Sequence, residues 1–391
     1  MSKHDFSLEE FAERRTRVRA AMAAAGLDWL VIFHPVGIHW LTGSDAKSYQ
    51  EFQCLLVSAR PGALTMLTRE GERNEFQDDA WVDAIHTFGG GENEDPVAAF
   101  ENLATTLGLL RARVGIEVPA YYLHPHHYVR LKTFLGTALV AEPTNLVHDL
   151  KLVKSTAELA CIRAASAKAD TAMVVFAGAL CEGRSELQLA SKVYESLLAS
   201  NSGLAASPIN LVSGERSGFS HGAPTARRLR KGDFGNVEYG ATDRRYTATI
   251  GRQFSIGTPT ARMREIYDVV RRAGDAGIAA IRDGVPATVP HEAAKRVIAQ
   301  AGMARYRVHT SGYGLAPGFP PTWGEPLHLL ADSPYILRAG MVISIEPPVF
   351  MGEEQLGARL VDNLLVTQDG AELLSRFSRD LIVVPLCAAQ R

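Results

Sequence analysis

Cysteine is scarce and shows no pairing rhythm. Cys54, Cys161, Cys181 and Cys387 are scattered over 391 residues without a Cys-x-x-Cys, which argues against a disulfide scaffold or thiolate metal site and for reduced thiols. Excess charge of either sign is also missing: 41 Lys and Arg face 43 Asp and Glu, a formal net charge of −2. With no basic block or acidic tail, there is no electrostatic footprint for nucleic acid or an anionic membrane. Nor is there an uncharged apolar run of the roughly 18 residues a bilayer span needs. The first 33 residues carry charges throughout, unlike an export signal with its apolar core. A cytoplasmic protein is expected.

What is present is ordinary globular composition, 46% hydrophobic and 21% charged, long enough for two or three domains. Ser7-Leu-Glu-Glu10 reads as a capping box opening a helix that ends near Gly26. Short β-rich runs follow at Trp29–Phe33, Cys54–Val57, Leu64–Thr68, Val114–Val118 and Ala138–Ala141, with a helical stretch at Pro96–Leu110. This alternation predicts an α/β domain over residues 1–150. From Lys151 the pattern changes. Ser155 and Glu158 form a second capping box, and helices are expected at Glu186–Ala199, Thr260–Arg282 and Val289–Ala301. The β-rich segments Phe234–Tyr239, Thr247–Ile256, Val342–Ile345 and Arg359–Thr367 complete an α+β catalytic domain over 151–391.

Five blocks carry a resemblance. They are Lys151–Arg163, Gly214–His221, Arg228-Leu-Arg-Lys-Gly-Asp233, Gly340-Met-Val-Ile-Ser-Ile-Glu-Pro347 and Gly357-Ala-Arg-Leu-Val-Asp-Asn-Leu-Leu-Val-Thr367. In this order they resemble the creatinase/prolidase/aminopeptidase P superfamily, whose C-terminal domain has the pita-bread fold. The resemblance implies five metal-ligand positions, which fall here on Glu238, Thr249, Tyr313, Glu346 and Val361. Only two are carboxylates, whereas hard divalent pairs need several. The resemblance therefore points to a branch without metal or other cofactor. It also implies a homodimer and makes His221, seventeen residues before Glu238, the reactive histidine. Val237–Tyr246, Phe319-Pro-Pro-Thr-Trp-Gly-Glu325, Trp40-Leu-Thr-Gly43 and Gln53-Cys54 look more like ectoine hydrolase than creatinase. Thr247 and Asp45–Glu51 depart from that pattern.

Two carboxylates converging without a metal repel, unless a cation separates them. A substrate amidinium would serve, its planar donors matching carboxylate oxygens as arginine does. The expectation is thus a metal-independent hydrolase of a C–N bond in a small cationic compound, a cyclic amidine such as ectoine. His221 would shuttle protons, Glu238 activate water or attack, and Glu346 hold the cation. Tyr246, Tyr313, Trp323, Glu325, Arg359 and Tyr49 are candidate substrate contacts, Arg359 pairing either with a glutamate or with a substrate carboxylate. Alternatives are an Xaa-Pro dipeptidase or aminopeptidase with an unusual ligand set, or a binding protein without catalysis. A single ion held by Glu238, Glu346 and His221 is a further option. Leu123-His-Pro-His-His-Tyr128 reads as solvated histidines at a helix start. Ser217 and Ser220 lack the Gly-x-Ser-x-Gly elbow of a serine hydrolase.

Overall fold

A computed structural model describes residues 3–45, 48–91, 95–142 and 145–385, so Cys387 lies outside the described residues. The chain divides into two compact units, Met1–Lys151 and Leu152–Arg391.

In the first unit, helix Leu8–Ala24 begins where the Ser7 hydroxyl accepts from the Glu10 N–H at 3.2 Å. Over the described residues the sheet has six strands, in the order Ala84–Phe88, Leu64–Arg69, Cys54–Ser58, Trp29–Ile32, Val114–Ile116, Leu139–Ala141. Val31, Leu56 and Ile116 of its strands meet Phe100 and Leu103 of helix Pro96–Thr106 and Leu131 of helix Pro125–Leu135 in one core. Each such side chain removed from water contributes about 1.5–3 kcal/mol. Helix Pro35–Thr42 was not expected. All eight of its residues are buried, so no polar face marks it in the sequence.

The second unit is built on a nine-stranded sheet over the described residues. Its centre is the long hairpin of Phe234–Asp243 with Tyr246–Ile256. The hairpin turns through Arg244 and Arg245, both at positive φ (50° and 65°), as a two-residue primed turn demands. Helices Thr156–Ala179 and Glu186–Ala199 pack on the sheet through Phe176, Leu189 and Val193 against Val237, Ile250 and Phe254. Both helices start on full capping boxes, Ser155 with Glu158 and Ser185 with Gln188. Helices Ala261–Ala279 and Thr288–Gln300 form a further core with Phe234 and Leu360. Together the units show an α/β N-terminal domain and a mixed α/β C-terminal domain of pita-bread type. Among the described residues no helix is long and apolar enough to cross a membrane.

Candidate active site

Strand pairing brings the polar groups together. Glu238 lies opposite Asn210 across the Asn210–Ser213 pairing, and the Asn210 amide donates to its carboxylate at 3.1 Å. Glu346 follows strand Val342–Ile345, its N–H donating to the Ser311 carbonyl at 2.9 Å. Tyr313 opens the neighbouring strand, its N–H held by the Ser344 hydroxyl at 3.1 Å. Gly312 is required there because a Cβ would stand 2.1 Å from the Ser344 carbonyl oxygen. His221 sits on a loop whose two flanks share one anchor. The buried Glu186 carboxylate accepts from Ser213 (2.7 Å), from Arg216, and from the Thr225 N–H (2.9 Å) and hydroxyl (2.8 Å).

These elements enclose a cavity of about 270 Å³ lined by His221, Glu238, His309, Tyr313, Trp323, Glu325, His328 and Glu346, with Ser207, Asn210 and Thr322. The His221 and His309 rings are 5.2 Å apart, and His309 Nδ1 lies 3.4 Å from Glu346. Behind the lining, the Arg359 guanidinium pairs with Glu238 and stacks on Phe350 at 5.4 Å. Arg359 Nε and Nη2, and Glu346 Oε2, have no hydrogen-bond partner among the described residues.

Burial, reinforced by the charge of Glu238, pushes the Glu346 carboxyl up to about 8, although Arg359 pulls the other way. Glu346 is thus protonated at neutral pH. Burial, then Arg359 and His221, depress His309 to about 4. His221 lines the cavity yet stays exposed to solvent. Burial of its inner flank and Arg359 lower it, against the pull of Glu238. Both imidazoles are therefore neutral at pH 7. Burial, then Glu346 and Glu238, hold the Tyr313 phenol well above its ordinary range.

Of the residues expected from sequence, His221, Glu238, Glu346, Tyr313, Trp323 and Glu325 share this one cavity. Glu325 is bound there in a fully buried ion pair with Lys154 at 2.6 Å. Arg359 does not line the cavity; its place is behind Glu238. Tyr246 is a correction, because its buried hydroxyl donates to Glu158 at 2.7 Å inside the hairpin–helix packing. Tyr49 belongs to the N-terminal unit and packs edge-on against Tyr122 at 6.0 Å. His124 caps helix Pro125–Leu135 and stacks on His126. The Ser217 hydroxyl is engaged with the Gly357 carbonyl at 3.2 Å. His309 and Asn210 were missed. The only sequence signal for His309 is its position four residues before Tyr313.

The five ligand positions implied by the resemblance do not form a metal centre here. Thr249 Oγ1 accepts from Asn363 at 2.8 Å, Tyr313 Oη accepts from Trp323 Nε1 at 3.0 Å, and Val361 is a buried hydrocarbon bridged to Gly251. Among the described residues no group of three or more His, Cys, Asp or Glu is placed to hold an ion. The donor set does not fit a pair of divalent cations, which require several oxygen ligands.

Residues 160–368 match the metallopeptidase family M24, and residues 14–153 the creatinase/prolidase N-terminal domain. A Mycobacterium tuberculosis protein named "Probable dipeptidase PepE" is 30% identical over 389 residues, covering 99% of this chain and 100% of that protein. The Xaa-Pro dipeptidase of Pyrococcus furiosus is 28% identical over 242 residues, 61% of this chain and 67% of that protein. The crystal structure of dipeptidase PepE from Mycobacterium ulcerans superposes with a TM-score of 0.84 at 28% identity, covering 97% of this chain and 100% of that one. These relatives overturn the expectation of a metal-independent hydrolase opening a cyclic amidine such as ectoine, since their names point to peptide bonds. The physical ground of that expectation also fails. Two glutamates appeared to need a cationic substrate, but Arg359 already supplies the cation, and Glu346 is neutral at pH 7. The chain belongs to the metallopeptidase family M24 and carries the creatinase/prolidase N-terminal domain that precedes it.

Proposed function

We propose that this chain hydrolyses the peptide bond of dipeptide-sized substrates, with Xaa-Pro dipeptides as the leading class. One observation carries the reading: a buried carboxyl, Glu346, whose pKa is raised, and two imidazoles, His221 and His309, whose pKa values are lowered, meet at one small cavity. Amide hydrolysis needs a base for the attacking water and an acid for the departing nitrogen, both poised near the working pH. The solvent-facing His221 takes a proton from water, whose oxygen adds to the carbonyl carbon. Glu346 gives its proton to the departing amine as the C–N bond breaks. The proton on His221 returns to Glu346 by way of His309, which lies between them in ring and atom distances of 5.2 and 3.4 Å. Glu238, tied to Arg359 and Asn210, holds the negative charge that keeps Glu346 protonated.

A cavity of about 270 Å³ lies at the small end for ligand sites and suits two residues rather than a long peptide. The names of the relatives, which include Xaa-Pro dipeptidase, support the prolyl class. Pro321 supplies apolar wall for such a ring. The test is cleavage of a dipeptide panel, Xaa-Pro and non-prolyl, by the full chain with and without manganese, both products being quantified by mass spectrometry. His221→Ala should lose cleavage of whichever dipeptides the wild type cuts. No cleavage of any dipeptide in either condition would sink the reading. Tight dipeptide binding without cleavage would favour a recognition protein on this fold.

A further inference from the structure

Nothing described so far stabilises the negative charge that appears on the carbonyl oxygen when water adds. We propose that the Tyr313 hydroxyl is the donor to that oxyanion, and that Trp323 is the positioning residue that aims it; this rests on the peptide-hydrolysis reading above. Oxyanion stabilisation is worth most when the donor is fixed before the reaction and shielded from water.

Tyr313 meets the first of those conditions. Its oxygen accepts the Trp323 indole N–H at 3.0 Å. A phenol oxygen has one hydrogen to give, and with one acceptor direction occupied by the indole, that hydrogen is turned away from Trp323. It has no acceptor among the described residues, and Tyr313 lines the cavity. The backbone beneath is fixed by the Tyr313 N–H to Ser344 contact, and by Gly312, whose carbonyl accepts from the Thr310 hydroxyl at 2.9 Å and the Leu329 N–H at 2.8 Å. Burial, then neighbouring Glu346 and Glu238, oppose ionisation of the phenol, so the donor keeps its proton. One N–H of the Asn210 amide, another donor at the cavity, is given to Glu238.

The step balances without a further reagent. Water oxygen bonds to the carbonyl carbon, one water proton passes to His221, and the carbonyl π pair moves onto oxygen. That oxygen accepts a hydrogen bond from Tyr313, which keeps its proton. When the C–N bond breaks, the oxygen pair re-forms the carbonyl and the amine leaves with the proton from Glu346.

The oxyanion exists only in the transition state, so Tyr313→Phe should lower kcat by about 10²–10³ and leave KM nearly unchanged. Trp323→Phe should lower kcat by about tenfold, the effect of one hydrogen bond. The double variant should be no slower than Tyr313→Phe, because Trp323 acts through Tyr313. A Trp323 that merely walls the substrate would instead raise KM and add to the tyrosine defect. A binding measurement separates this inference from the function it rests on. A phosphinic dipeptide analogue carries a tetrahedral centre with an anionic oxygen; the plain dipeptide does not. The wild type should bind the phosphinic compound at least tenfold more tightly than Tyr313→Phe does, with equal affinity of the two chains for the plain dipeptide. Equal affinity for the phosphinic compound would overturn the proposal. Loss of plain-dipeptide binding in every chain would sink the functional reading instead.

Discussion

The protonated state of Glu346 is open to direct measurement through stability. Its carboxyl is raised from an ordinary 4.5 to about 8 by burial and Glu238. A group whose folded pKa lies above its unfolded value contributes stability that is complete below the unfolded pKa and lost as pH rises through the folded one. His309 works in the opposite sense. It is depressed from 6.5 to about 4, so its contribution is present above 6.5 and lost as pH falls through 4. Between pH 6.5 and 8, therefore, His309 is silent and Glu346 alone of the two carries a slope. At 1.36 kcal/mol per unit, that interval is worth about 2 kcal/mol. The side chain is about 1% exposed, so solvent screening does not reduce the figure. Glu346→Gln keeps shape and hydrogen-bonding capacity but cannot ionise. Urea unfolding of both chains, followed by circular dichroism across this range, should show the glutamine variant gaining about 2 kcal/mol on the wild type as pH rises. Contributions from the N-terminal unit cancel in the difference. Parallel stability curves would refute the raised carboxyl and, with it, the assignment of Glu346 as acid.

Arg359→Met should destabilise the chain by about 3–5 kcal/mol, because Glu238 is left buried without its cation; adding Glu238→Gln should recover most of that loss. A cost below about 1 kcal/mol, the range of an exposed pair, would show that the Arg359–Glu238 pair is not buried in solution. Glu186→Gln removes the charge that ties Ser213, Arg216 and Thr225. It should raise amide exchange over residues 214–225 and lower kcat, leaving exchange in helix Thr156–Ala179 unchanged; unaltered exchange in the loop would remove Glu186 as the brace of His221. Tyr246→Phe should cost about 1.5–3 kcal/mol, the range for a hydrogen bond to a charged group, without altering KM, and a raised KM would return Tyr246 to the substrate.

The parts of this molecule legible from sequence are those whose causes are local. Ser155 and Glu158 lie three residues apart, so their reciprocal bonds are visible as a spacing, and the helix they open is found where expected. Glu238 and Glu346 stand out because a carboxylate amid apolar strand residues is costly without a role. Helix Pro35–Thr42 was hidden for the converse reason: buried on all sides, it shows no period. From sequence Arg359 pairs either with a glutamate or with a substrate carboxylate, and only the fold, which brings it to Glu238, 121 residues away, separates the two. Tyr246 and Tyr313 looked equivalent as isolated tyrosines. Strand geometry separates them, one hydroxyl turned to Glu158 and the other to the cavity beside Trp323.

The Arg359–Glu238 pair bears on what kind of substrate the cavity suits. At neutral pH Glu238 is matched by Arg359 and Glu325 by Lys154, while Glu346, His221, His309 and Tyr313 carry no charge. The charges at the site therefore sum to zero, and a cationic amidine gains nothing there from net attraction. The scissile amide of a dipeptide is itself uncharged, although its termini are not, and it meets a proton donor, a proton acceptor and a phenol hydroxyl already in place. Above pH 8 the balance reverses, because ionised Glu346 would give the cavity a negative charge and at the same time withdraw the acid that amide cleavage uses. Attraction for cations and competence for hydrolysis thus run in opposite directions with pH. On the peptide-hydrolysis reading, a site that is electrically neutral near pH 7 suits an uncharged scissile bond.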